Sequence, residues 1–170
     1  MRPQTFSASF TRPANTTQYT VGDMVADAIA GDAVAAIILP SGPYIIRRVR
    51  LAKSDDDVTA ATFRAHFFSG NPFAAVVGGD TGDNGPMQLA SAPIAEYLGS
   101  YDLDMTSSPN IYKTAGNVCT GVPINGSELM VPTYRTAGAA QTGTYALLEA
   151  RATYTPASAE VFTLTIEYLV

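Results

Sequence analysis

Phe162-Thr163-Leu164-Thr165-Ile166-Glu167-Tyr168 alternates large apolar with polar residues, and Thr144 to Tyr154 alternates in the same way. Successive side chains of a strand point to opposite faces. The first stretch therefore places Phe162, Leu164, Ile166 and Tyr168 on one face, with Thr163, Thr165 and Glu167 on the other. In the second, Ala146, Leu148, Ala150 and Ala152 oppose Glu149, Arg151 and Thr153. A period of two marks a half-buried strand rather than a helix. Pro156-Ala157-Ser158-Ala159 separates the stretches, which predicts an antiparallel hairpin.

Further strands follow from the same rule. Tyr44 to Lys53 is rich in Ile, Val and Leu, with Arg48 and Arg50 on one face and Arg47 on the other. Thr62 to Phe68 alternates Phe63, Ala65 and Phe67 against Thr62, Arg64 and His66. Glu96 to Met105 puts Tyr97, Tyr101, Leu103 and Met105 on one side and Asp102 and Asp104 on the other. Thr5 to Phe10 and Glu128 to Val131 add shorter pieces. Asp23 to Leu39 is alanine-rich; local propensity favours a helix broken at Gly31, while the surrounding pattern favours two strands around Gly31-Asp32. The context-based reading, two strands, is the expectation.

Ser54-Asp55-Asp56-Asp57 reads as a solvated turn, because adjacent carboxylates repel and resist burial. The long gaps Gly70 to Pro86, Thr106 to Asn117 and Pro132 to Gly143 hold much of the Gly and Pro. With 170 residues and no internal repeat, one domain over 1–170 is expected, with 1–22 a strand plus an arm and 23–170 the body. About eight strands joined by long loops predict an all-β, jelly-roll-like antiparallel sandwich with an extended N-terminal arm.

Composition narrows the chemistry. Only 15% of residues are charged, against about 25% in an average domain. One cysteine, Cys119, excludes an intrachain disulfide and any multi-cysteine metal site. One histidine, His66, excludes every His-pair metal motif. A net charge of −5 disfavours binding to phosphate backbones, so no direct nucleic-acid contact is expected. No apolar run approaches a membrane span, and no apolar region follows Met1-Arg2-Pro3-Gln4. A product made in a reducing cytoplasm, with no membrane partner, is the expectation. Asn15-Thr16-Thr17 and Asn125-Gly126-Ser127 match the glycosylation sequon but read as turns.

No catalytic set stands out. His66 lies mid-strand, on one face with Arg64 and Phe68, and no Gly-x-Ser-x-Gly elbow surrounds a serine. Cys119 reads as a small buried hydrophobe. Asp102 and Asp104, on one strand face, have the spacing that glycoside hydrolysis needs, beside the plainer reading of a solvated face. Asp80-Thr81-Gly82-Asp83-Asn84-Gly85 carries oxygen ligands at short intervals, but an EF-hand would need a ligand at Gly82 and a glutamate at Ser91. A calcium site of another kind and an acidic turn both remain open there. Arg47, Arg48 and Arg50 suit carboxylates of a protein partner, and the loop residues Tyr112 and Tyr134 suit an interface or a cap on the sandwich. The expectation is no enzyme activity, no cofactor, no metal and no catalytic residue.

Three stretches, taken together, carry a resemblance: Phe10-Thr11-Arg12-Pro13-Ala14-Asn15-Thr16-Thr17-Gln18-Tyr19-Thr20-Val21-Gly22-Asp23, Thr62 to Phe68, and Tyr145 to Arg151 with Tyr154-Thr155-Pro156-Ala157-Ser158-Ala159-Glu160-Val161-Phe162. The chain resembles a family of small structural proteins of tailed bacteriophages. The likeness runs in order over most of the chain, the middle loops excepted. It implies a capsid cement or decoration protein with a jelly-roll-like fold, bound to the capsid surface of the virion as a homo-oligomer (dimer or trimer) contacting the major capsid protein. A phage tail or receptor-binding accessory of carbohydrate-binding type is the alternative, on the tyrosines and acids of the loops.

Overall fold

The alternating stretches become strands, and the strands divide between two antiparallel sheets. The computed structural model describes residues 1–29, 37–72, 82–89, 96–106, 116–123, 128–132 and 143–170. Eleven strands lie among them: β1 Pro3–Thr11, β2 Met24–Ile29, β3 Ile37–Leu39, β4 Tyr44–Lys53, β5 Thr62–Phe68, β6 Tyr97–Asp104, β7 Asn117–Thr120, β8 Val122–Pro123, β9 Leu129–Val131, β10 Thr144–Ala150 and β11 Val161–Leu169. One sheet runs β1-β11-β4-β7, with β9 also beside β4. The other runs β2-β10-β5-β6-β8, with β3 also beside β10.

The pairing is nested. β1 pairs with β11, β2 with β10, β4 with β7 and β5 with β6. Early strands therefore meet late ones, and successive pairs fall in alternate sheets, as in a long antiparallel ribbon rolled into a sandwich. That is the jelly-roll arrangement. It corrects the expected hairpin: β10 and β11 lie in different sheets. Both edges of β10 are taken, by β2 and β3 on one side and β5 on the other, while β11 is held between β1 and β4. Residues 151–160 cross from one sheet to the other.

The first 22 residues are bound to the body. β1 pairs residue by residue with β11, from Pro3↔Leu169 to Thr11↔Val161. Pro13 follows the strand end on this outer strand, where no ladder N–H is required. Beyond it, the segment expected as an arm buries Arg12 and Tyr19. Within Asp23 to Leu39, β2 and β3 form as the context demanded; residues 30–36, with the Gly31-Asp32 turn, lie outside the described residues.

The core takes the inward face of each strand. Phe63, Ala65, Phe67, Leu148, Ala150, Phe162, Leu164 and Ile166 are all buried. One ring pair connects the layers, Phe63 of the second sheet edge-on to Phe162 of the first; Phe63 also meets Tyr154 edge-on, Phe10 stacks on Phe162 within the first sheet, and Tyr154 stacks on Tyr19. Each such pair adds about 0.5–1.5 kcal/mol beyond its buried area.

Three departures from strict alternation have local causes. In β4 the register against β11 slips at Arg47, so Arg47 is exposed beside Arg48 instead of on the opposite face as expected. Every residue of β10 is buried, although its outer face carries Tyr145 and Leu147. A second apolar cluster covers that face, formed by Met24, Ala26, Phe68, Tyr145 and Leu147 with Met87 and Leu89 packed on top. In β6, the register against β5 slips between Phe67↔Gly99 and Phe68↔Tyr97. Gly99 sits there at φ +143, a backbone state that glycine adopts without a Cβ penalty. The slip turns Tyr97 away from Tyr101 and Leu103, with which it was expected, and onto the outer face beside His66.

The acidic turn after β4 folds on itself. Asp57 N–H donates to Asp55 Oδ2 at 3.2 Å and Thr59 N–H to Asp57 Oδ1 at 2.8 Å. Those hydrogen bonds from Thr59 hold the Asp57 carboxyl below its usual range. Asp56 is exposed. Asp56→Asn is expected to change unfolding free energy by less than about 0.5 kcal/mol, measured by urea titration.

Candidate functional site

Two polar assemblies organise the molecule, one buried and one on a surface. The buried one gathers the two ends of the chain. Arg12, just past β1, donates from Nε to Tyr19 Oη at 2.9 Å, and from Nη2 to Asn15 Oδ1 at 3.0 Å and Asp83 Oδ2 at 2.9 Å. Its Nη1 reaches the Ala157 carbonyl at 3.2 Å. Tyr19 O–H and Ala26 N–H both donate to Asp83 Oδ1. Arg12 and Asp83 are both fully inside. Burial, reinforced by the Asp83 carboxylate, pushes the Tyr19 hydroxyl far above its ordinary pKa, so it stays a donor.

A second buried set lies against the first. Lys53 closes β4 on its inward face, in line with Val49 and Leu51. Its Nζ donates to Asp55 O at 2.8 Å, Tyr154 Oη at 3.0 Å and Glu160 Oε1 at 3.1 Å. Tyr154 O–H also reaches Glu160 Oε2 at 2.8 Å. The two sets meet through Tyr19 and Tyr154, stacked 4° from parallel. Each ring carries its own cation, Arg12 over Tyr19 and Lys53 over Tyr154. Backbone bonds from Arg12 N–H to Glu160 O and from Tyr19 N–H to Tyr154 O finish the clasp.

The sequence marked Asp83 only as a candidate calcium ligand and Arg12 and Glu160 only within the resembling stretches, and none of the four as a buried ion. Strand parity does mark Lys53, since a lysine on a core face needs a buried partner. Asp83, inside a Gly-rich stretch, carries no such signal. Its burial also bears on the calcium reading of Asp80 to Gly85: both Asp83 oxygens are already bound, and Asp80 lies outside the described residues. Among the described residues, no group of three or more His, Cys, Asp or Glu side chains is arranged to hold a metal ion.

The surface assembly lies on the outer face of the second sheet. The registers Glu149↔Arg64↔Asp102 and Leu147↔His66↔Ser100 set its rows. Arg64 grips Asp102 with two hydrogen bonds, at 2.7 and 3.2 Å. His66 Nε2 lies 2.8 Å from Glu149 Oε2, and Nδ1 lies 3.3 Å from Tyr97 Oη. A carboxylate only accepts, so Nε2 carries the hydrogen that meets Glu149. Arg151 donates to the other Glu149 oxygen at 2.8 Å. A depression of about 350 Å³ opens beside this row, lined in part by Thr62, Arg64, Asp102, Asp104 and Arg151.

Burial would raise the Glu149 pKa, but hydrogen bonds and charge from His66 and Arg151 outweigh it and hold the carboxyl below the usual 4.5. A depressed carboxylate stabilises the fold above its unfolded pKa, and that share is lost as pH falls through the folded value. Glu149→Gln is therefore expected to flatten the stability–pH curve below about pH 4.5, read by urea titration across pH 2–6. An unchanged acid limb would show that the pair contributes nothing there.

The other residues singled out from sequence fall as follows. His66 has an orienting carboxylate, but among the described hydrogen bonds no serine, threonine or cysteine meets its ring. Asp102 is held by Arg64, and Asp104 accepts from Thr106 N–H and O–H, so each is tied to a neighbour. Arg48 and Arg50 both reach Glu167 at 3.3 Å, and Arg47 pairs with Glu128. The carboxylates they take belong to this chain. Cys119 is buried and its thiol is pushed up to about 12 by desolvation. Asn15 closes a turn by accepting from Thr17 N–H at 3.1 Å, whereas Asn125-Gly126-Ser127, Tyr112 and Tyr134 lie outside the described residues. No helix among the described residues is long and apolar enough to cross a membrane. No protein-family model matches the chain, and no curated protein matches it.

Proposed function

We propose that the chain is a virion structural protein of a tailed bacteriophage, binding the capsid shell as a homo-oligomeric cement protein without enzymatic activity. The observation that carries this reading is where the resembling stretches sit. Residues 10–23 and 154–162 supply Arg12, Asn15, Tyr19, Tyr154, Ala157 and Glu160 to one buried clasp. The stretches that carry the resemblance thus supply much of the device that ties the two ends of this chain into a stiff body. Stiffness is what a cement protein supplies to a shell under internal pressure.

The outer faces agree with this use. On the first sheet, Ser7 and Ser9 meet Thr165 and Thr163 in hydroxyl pairs at 2.8 Å, beside the ion pairs of Arg48 and Arg50. Ordered polar faces of this kind suit a wet, extensive contact with another protein. Mass spectrometry of purified particles is expected to find the chain in heads, at a fixed ratio to the major capsid protein. Absence from particles, or presence only in tails, overturns the proposal.

One observation favours the carbohydrate-binding alternative. Tyr97 is 43% exposed, beside His66 and above the Arg64–Asp102 pair, and sugar sites combine aromatic platforms with carboxylates. A glycan array with no binding removes this alternative.

A further inference from the structure

Lys53 and Glu160 are in contact inside the first sheet, and Asn117 is the residue buried opposite Lys53 in the neighbouring strand. Lys53 and Asn117 are directly opposed in the β4–β7 ladder, and each is 3% exposed. Opposed residues of an antiparallel pair hold their Cβ atoms about 4.5–5.5 Å apart, well within the reach of a lysine. The approach is tightened by Gly116, at φ +99, where any Cβ would stand 1.9 Å from the Lys53 carbonyl oxygen. Only glycine lets the chain enter β7 so close to the end of β4.

The Asn117 amide is held in an unusual way. Its Oδ1 accepts from Val118 N–H at 2.8 Å, while Nδ2 is buried with no hydrogen-bond partner. A buried donor left unpaired raises the free energy of the fold, so its presence requires a reason. Lys53, its ladder partner, has Nζ 3.1 Å from Glu160 Oε1, with both side chains wholly inside. Desolvation raises the Glu160 pKa against the opposing charge of Lys53, which suits a carboxyl that takes up and releases a proton.

We propose that Lys53 and Asn117 become joined by an intramolecular isopeptide bond, with Glu160 as the proton carrier. Lys53 Nζ passes a proton to Glu160 and attacks Asn117 Cγ, forming the new C–N bond. Val118 N–H faces the oxygen on which negative charge develops. Glu160 then protonates Nδ2, the C–Nδ2 bond breaks, and Nζ gives its surplus proton back to Glu160. The products are one secondary amide, one ammonia and protonated Glu160, and no oxidant or reductant is required. An amine, an amide and a proton carrier brought together away from water gain the advantage of fixed proximity. The unpartnered Nδ2 is then the leaving group of a reaction the fold sets up. The bond would close a loop from the end of β4 to the start of β7, enclosing β5 and β6, whatever surface the protein binds.

Intact mass of the purified wild-type chain, measured under denaturing conditions, tests this directly. A deficit of one ammonia is expected, with Lys53 and Asn117 recovered in one branched peptide after proteolysis. The full sequence mass overturns the proposal. So does a deficit that maps to a succinimide at Asn84-Gly85 or Asn125-Gly126 with Lys53 and Asn117 in separate peptides. An Asn117→Ala chain is expected at its full mass. A Glu160→Gln chain that folds, as read by circular dichroism, is expected at full mass too, and the same deficit in it overturns the role of Glu160.

Discussion

Asp83→Ala is expected to destabilise the fold by about 3–5 kcal/mol, because it strands a fully buried guanidinium. Arg12 has Asp83 as its ionic partner, and the remaining acceptors around it are neutral: Tyr19 Oη, Asn15 Oδ1 and the carbonyls of Asn15 and Ala157. Removing Asp83 also takes the acceptor from Tyr19 O–H and Ala26 N–H. A domain of this size has about 5–15 kcal/mol in total, so the loss is a large share. Urea unfolding of the wild type, Asp83→Ala, Arg12→Met and the double variant separates the pair from its surroundings. Arg12→Met with Asp83→Ala should be less destabilised than the sum of the two, since replacing both ions leaves neither stranded. A loss below about 1 kcal/mol in Asp83→Ala would mean that water reaches Arg12 and that the clasp is not closed.

Phe63→Ala is expected to remove about 3–5 kcal/mol, the range for truncating a buried aromatic. Phe63 is 1% exposed and meets Tyr154 and Phe162 edge-on, at ring centroid distances of 5.4 and 5.5 Å. It lies where the second sheet touches both the first sheet and the crossing segment 151–160. The cavity has rigid walls, since β5 is held on both sides by β10 and β6. Little collapse can offset the lost contacts. Urea unfolding measures it, and a change below about 1 kcal/mol would show that these rings do not carry the core.

Much of the sandwich was legible in the sequence. Thr62 to Phe68 and Tyr44 to Lys53 became β5 and β4 with those bounds, because a strand's alternation is written in consecutive residues. Met24–Ile29 and Ile37–Leu39 were readable as strands only from their neighbours, since the local propensity of the alanine-rich stretch favours helix. Tyr97 was placed on the wrong face because a register slip at Gly99 leaves almost no mark on composition. Of the candidate site, His66 and Asp102 were noticed singly, but their partners Glu149 and Arg64 are strand neighbours that only the register reveals.

The sequence alone marked the inward faces of β5, β10 and β11, and with them the all-β class and the absence of a disulfide framework. These are local properties: side-chain direction repeats every two residues whatever the strand pairs with. The tertiary structure decided the partners. It separated β10 from β11 into different sheets, although only ten residues lie between them, and brought together Arg12 with Asp83 and Lys53 with Glu160, 71 and 107 positions apart. Which strands pair depends on how all their faces are buried at once, and a buried ion is tolerable only where the whole fold supplies its counter-ion.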